Sequence, residues 1–234
     1  MSALFIRVIL FMTMLMLPRI AVLPEVQAAP KVLYLTFDDG PSERYTPEIL
    51  DILRRAHVKV TFFVLGFRAE QYPQMVRRMR AEGHEIGNHG FYHEYILGKP
   101  DNWVRHDVER ASQVIQKASG VNPVLYRPPG GLIDKHEMSV IQQAGHPVVF
   151  WTIDSKDWMA TSNEEIITNV MSKVKPGAII LFHDGVSNSR HTAQALPTIL
   201  AKCREQGYVF KVLPIHRTSL KTALVSTVPG TKAQ

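Results

Sequence analysis

The sequence predicts an α/β fold with about seven parallel strands, on three observations. From Lys31 onward, short β-branched or apolar runs alternate with longer stretches of helical period, the order of repeated βα units. Several helical stretches stop at a glycine (Gly83, Gly120, Gly145, Gly207) just before the next apolar run, as helices that end on a left-handed residue do. Reactive side chains cluster immediately after the apolar runs.

Strands are expected at 32–37, 60–65, 85–88, 124–127, 148–153, 178–182 and 208–213. Helices are expected between them at 46–56, 73–82, 103–118, 134–144, 163–174 and 191–206. Thr46 is placed to cap the first helix, with Pro47 in its first turn. The last helix carries Ala195, Ile199 and Cys203 on one apolar stripe, so the single cysteine is expected to be a buried, inert thiol. Strict alternation argues for parallel strands, arranged as a distorted or incomplete barrel or as an open doubly wound sheet. Both architectures place chemistry at the C-terminal ends of the strands.

At 234 residues, with 45% hydrophobic and 21% charged residues, the chain suits one globular domain with a sizeable core. Its beginning differs: Arg7 leads into an apolar run at 8–17 that Pro18 ends, shorter than the ~20 residues that span a bilayer. Val26 and Ala28 then form a small-residue cleavage site. Residues 1–28 therefore read as a secretory signal, 29–216 as the folded domain and 217–234 as a polar tail, with no stable membrane span after signal removal. Loss of Arg7, Arg19 and Glu25 leaves +5 of the formal +6 charge. A basic exported protein suits an anionic matrix such as cell-wall polymer, and the lack of a dense Lys/Arg run argues against a nucleic-acid partner. One cysteine excludes an internal disulfide and a cysteine metal cluster.

Five expected strands end in reactive groups. The first runs into Asp38-Asp39-Gly40-Pro41, the third into His89 and His93, and the fourth into Arg127-Pro128-Pro129-Gly130-Gly131. The fifth runs into Asp154 and Asp157-Trp158, and the sixth ends in Leu181-Phe182-His183. Taken alone, the Asp-Gly-Pro segment is a tight turn, and Arg127, Asp154 and Asp157 would make a loop-holding ion-pair network. If the chain turns helically after His89, His89 and His93 share a face. Together, two imidazoles and one carboxylate make a zinc set that leaves a position for water, and such an ion lowers the pKa of that water to roughly 7. The second carboxylate would take the water's proton, and His183 would protonate a leaving group.

With these residues in view, the chain resembles the polysaccharide deacetylase family, carbohydrate esterase family four, over about residues 31–213. Five ordered motifs carry the likeness, and Thr36-Phe37-Asp38-Asp39-Gly40-Pro41-Ser42 is highly specific. The resemblance implies a distorted (β/α) barrel. It implies Asp38 as general base, paired with Arg127, and Asp39, His89 and His93 as ligands of a divalent ion, zinc foremost. His183 would be the general acid, tuned by Asp157, while Leu181 and Trp158 would line a pocket for the acetyl methyl. The Gly130 backbone N–H would donate to the oxyanion. Tyr92, like Trp158, would either stack on a sugar ring or serve packing near the strand ends; Tyr95 and Trp103 are assigned to fold or surface. Two departures from the family pattern stand out. Gly90 replaces the usual Ser or Thr, whose hydroxyl braces the ligand loop, and Gly130 replaces a frequent Tyr, removing an aromatic wall.

The implied activity is removal of N-acetyl groups from a GlcNAc-containing polymer, of peptidoglycan or chitin type, with release of acetate in an extracytoplasmic compartment. The same machinery would cleave O-acetyl esters, as on acetylxylan. A non-catalytic glycan-binding protein on this scaffold is the alternative from another class; its mark would be loss of a base, acid or ligand, and all are present.

Overall fold

The computed structural model describes residues 29–215; the expected export signal at 1–28 and polar tail at 217–234 lie outside the described residues. In chain order the elements are β1 (Lys31–Asp38), α1 (Tyr45–Arg55), β2 (Thr61–Val64), α2 (Gly66–Gln71), α3 (Pro73–Ala81), β3 (Glu85–Asn88) and α4 (Asp101–Ser119). There follow α5 (Lys135–Gln143), β4 (Ile153–Asp154), α6 (Asn163–Met171), β5 (Ile179–His183), α7 (Ser189–Glu205) and β6 (Tyr208–Phe210). No helix among the described residues is long and apolar enough to cross a membrane.

All strand pairings among the described residues are parallel, in the order β3-β2-β1-β5-β4, with β6 on the first half of β1. Single-residue bridges join Asn88 to Tyr126 and Tyr126 to Val148, and the chain from Val148 leads directly into β4. The two edges of the sheet are thereby linked into a ring, a distorted barrel.

The fourth expected strand shrinks to its bridge at Tyr126, and the fifth to a bridge at Val148 plus the two residues of β4. Two physical causes are visible. Pro123, Pro128, Pro129 and Pro147 remove ladder donors, and the Arg127 guanidinium takes the carbonyls of Val149 (3.2 Å) and Phe150 (3.0 Å) that a neighbouring strand would otherwise bind. Thr46 is no cap: α1 begins at Tyr45, and the Thr46 hydroxyl instead accepts the Ser42 N–H at 2.7 Å and donates to Asp184 Oδ2 at 2.5 Å. The short α2 gave no periodic signal. It starts at Gly66, where a Cβ would lie 2.5 Å from the Phe91 ring.

Register explains how the core and the site share β1. Phe37 lies opposite Phe62 on one side and Phe182 on the other. The three rings stack, with centroids 5.3 and 5.4 Å apart, each contact adding roughly 0.5–1.5 kcal/mol beyond burial. This row belongs to the main core with Ile49, Leu53, Ile166 and Leu196 from the helices. Because side chains alternate along a strand, Thr36 and Asp38 point to the other face, into the barrel. Cys203 is buried in the same core and its thiol is pushed up to about 11 by burial, consistent with an inert role.

Candidate active site

Asp38 ends β1 directly opposite His183, which ends β5. The next residue, Asp39, takes a positive φ of 70°, which turns its carboxylate out of the strand. That turn is pinned from behind: Asp184 N–H donates to Asp38 O at 3.1 Å, and a Cβ on Gly185 would lie 2.0 Å from Asp39 O. Only glycine fits there. Asp184 itself is buried beneath the turn; burial pushes its carboxyl up to about 7, opposed by its hydrogen bond to Thr46.

Arg127 is fully buried, and its Nη1 donates to Asp38 Oδ1 and to Thr36 Oγ1, both at 2.8 Å. Its other nitrogens are held by the Val149 and Phe150 carbonyls, and Phe63 covers the guanidinium at 4.1 Å. With every direction fixed, the arginine presents Asp38 in one orientation. Burial pulls the guanidinium pKa down, an effect that Asp38 opposes.

The histidine segment is not a helical turn. It is an irregular loop with Gly90 at φ 80° and His93 at φ 61°, and it nevertheless brings the two rings to 5.3 Å. His89 Nδ1 is 2.8 Å from the Arg127 carbonyl, so Nδ1 carries the hydrogen and Nε2 is left as a lone pair. The Nε2 atoms of His89 and His93 each lie 3.3 Å from Asp39 Oδ1. That oxygen is buried and accepts no well-formed hydrogen bond. One orphaned carboxylate oxygen and two imidazole nitrogens within 4.8 Å of one another suit a divalent cation. For Asp39, burial would raise the carboxyl pKa, but the adjacent His89, then His183 and His93, hold it below the usual carboxylate range.

The loop at Gly90 is held by side chains from β3 and α4. Asn88 Oδ1 accepts the Gly90 N–H at 2.7 Å, while its amide donates to Val108 O (2.8 Å) and Ser112 Oγ (2.9 Å) on α4. Both oxygens of Asp107, also on α4, lie 3.2 Å from the Phe91 N–H. A Cβ at Gly90 would stand 2.9 Å from Asp107 Oδ2, so the glycine and the aspartate occupy one space.

On the opposite wall His183 Nδ1–H donates to Asp157 Oδ1 at 2.7 Å. Asp157 Oδ2 accepts the His183 backbone N–H and the Thr192 hydroxyl, both at 2.7 Å. Burial alone would lower the His183 pKa, but the bonded Asp157, followed by Asp38 and Asp39, carries it up to about 9. Asp154, in contrast, ends β4 half-buried, and its Oδ1 accepts the Lys156 N–H at 2.8 Å.

These groups surround one cleft of about 420 Å³, lined by Asp38, Asp39, His89, His93, Gly130, Asp154, Trp158, Leu181 and His183, a volume that suits a small-molecule unit. Of the expected site residues, Arg127 and Asp157 stand just behind this lining. Tyr92 does not enter the cleft: its ring packs on Phe91 (4.6 Å) and Phe67 (5.9 Å), near Arg110. Tyr95, assigned from sequence to fold or surface, completes the lining with Trp151 and Val186, which carry no sequence signal.

Comparison with known proteins identifies the family. The polysaccharide deacetylase family pattern matches residues 25–149. A peptidoglycan-N-acetylglucosamine deacetylase of Bacillus cereus is 38% identical over 188 residues, covering 80% of this chain and 88% of the relative. A chitooligosaccharide deacetylase of Sinorhizobium fredii is 36% identical over 197 residues, covering 80% and 91%. The crystal structure of the Bc1960 peptidoglycan N-acetylglucosamine deacetylase superposes with a TM-score of 0.77 at 33% identity, covering 79% of this chain and 87% of that one. The chain belongs to the polysaccharide deacetylase family.

Proposed function

We propose that this polysaccharide deacetylase hydrolyses N-acetyl groups on a GlcNAc-containing polymer of peptidoglycan or chitin type, outside the cytoplasm, with a zinc ion held by Asp39, His89 and His93. One observation carries the reading: Asp38 and His183 lie opposite each other at the end of neighbouring strands, beside the orphaned Asp39 oxygen and on one cleft. Export rests on the composition of residues 1–28, and the polymer type on the basic charge and on the names of the relatives.

A divalent ion in this set supplies a Lewis acid that polarises water and the acetyl carbonyl. The protein's own groups do the rest. Asp38, oriented by Arg127, takes the proton of the attacking water as its oxygen bonds to the acetyl carbon. The Gly130 N–H donates to the carbonyl oxygen as it gains charge. Leu181 and Trp158 receive the methyl group. His183, kept protonated by Asp157, gives its proton to the nitrogen as the C–N bond breaks. Acetate and a free amine result.

The test is acetate release from GlcNAc oligomers, peptidoglycan and acetylxylan by the mature metal-loaded protein, with and without a chelator. Chelator-sensitive acetate from the first two supports the reading. Release from acetylxylan alone would make it an O-acetyl esterase, and release from none would overturn it.

A further inference from the structure

The turn that carries Gly130 lies against two aromatic rings. A Cβ on Gly130 would sit 2.9 Å from Cε1 of Tyr95, and one on Gly131 would sit 2.8 Å from the Trp151 ring. Both glycines have positive φ, 63° and 70°, so the chain here combines a backbone shape that side chains resist with a space that rings already fill. Tyr95 thus stands where a side chain at position 130 would otherwise project.

Tyr95 is 55% exposed and Trp158 51% exposed, and both line the one cleft that holds the catalytic groups. Tyr95 makes a 6.1 Å edge contact with His93 but takes part in none of the polar contacts that fix Asp38, Asp39, His89 or His183. A half-exposed ring beside a polar floor is a surface for a molecule with one apolar face and a polar rim. A pyranose answers to that: its axial C–H groups pack on a ring while its hydroxyls stay in water.

We propose that Tyr95 is the sugar-binding wall of the cleft, packing on the pyranose face of the unit whose acetyl group lies at Gly130 and favouring amino-sugar chains over small acetylated compounds. This rests on the proposed amino-sugar specificity. Binding energy spent on the sugar positions the acetyl carbon, so its loss falls on the sugar substrate and not on a sugar-free one.

The experiment compares wild type, Tyr95→Ala and Tyr95→Phe. It measures the ratio of kcat/KM on a GlcNAc tetramer to kcat/KM on 4-nitrophenyl acetate. It also measures tetramer Kd by calorimetry in the Asp38→Asn background, and metal affinity as a check on the His93 loop. Tyr95→Ala is expected to lower the ratio and raise Kd by about three- to tenfold, the usual worth of one aromatic contact, and Tyr95→Phe to restore both. An unchanged ratio and Kd overturn the proposal, as does a fall in metal affinity with equal losses on both substrates, which would make Tyr95 a prop for His93. A protein that binds the tetramer and releases no acetate refutes the proposed reaction, and Tyr95 is then judged on Kd alone; a wild type that does not bind the tetramer refutes the sugar wall.

Discussion

Asp157 holds His183 twice, one carboxylate oxygen taking the imidazole Nδ1–H and the other the backbone N–H of the same residue, both at 2.7 Å. The ring has no freedom to turn, and its Nε2 is left for the cleft. The buried carboxylate also makes the imidazolium the favoured form.

A pH dependence follows from that pairing. The folded-state pKa of His183, about 9, stands above the ordinary 6.5. The stability it contributes is therefore present below pH 6.5 and is lost as pH rises through about 9. Asp157→Asn is expected to flatten this decline, followed by chemical denaturation of the metal-free protein across that range. The alkaline limb of kcat/KM, where His183 as the proposed acid loses its proton, should move toward neutral pH in the same variant. An unmoved limb would separate Asp157 from the acid.

Arg127 makes four hydrogen bonds inside the barrel. Arg127→Met leaves Asp38 buried without its guanidinium and frees the Val149 and Phe150 carbonyls. Loss of one partner from a buried pair costs about 3–5 kcal/mol, and that decrease in unfolding free energy is expected in denaturant titrations. Asp38→Asn combined with Arg127→Met should cost less than the sum of the two, since no charge is then stranded. Strict additivity would mean that the pair does not interact.

The site was more legible in the sequence than the sheet around it, for physical reasons. Asp38, Asp39, His89 and His93 lie in two short segments, so their types and spacing were readable without knowledge of the fold. The strand at 124–127 was misjudged in extent because its ladder partners are claimed by the side chain of Arg127, a long-range contact that no local pattern records. Nothing in the sequence singles out Asp107 within the expected helix 103–118, and only the packing of α4 against the histidine loop turns it toward Phe91 N–H. Tyr95 follows His93 in a loop without period, where neither alternation nor helical spacing marks a direction.

The brace behind the histidines is testable through metal affinity. Asn88 spans the Gly90 N–H and two acceptors on α4, and loss of such outer contacts typically weakens metal binding about 10–100-fold. Asn88→Ala is expected to fall in that range in competition titrations with a chromophoric chelator. An affinity equal to wild type would place the loop's rigidity elsewhere.

The division of labour between the adjacent carboxylates is the sharpest test of the site. Asp38 is turned to Arg127, whereas Asp39 Oδ1 faces both imidazoles. Asp38→Asn keeps the size of the side chain and the whole ligand set, so metal content is expected to stay near one equivalent while turnover falls by about 10²–10⁴, the usual range for a lost general base. His93→Ala removes one of the three proposed ligands, and both metal content and turnover are expected to collapse. Elemental analysis after dialysis, beside acetate release, distinguishes the two variants. An Asp38→Asn protein that still turns over would transfer the base role to another group, and one that loses its metal would make Asp38 a ligand; either result would require the two carboxylates to exchange or share the roles proposed for them.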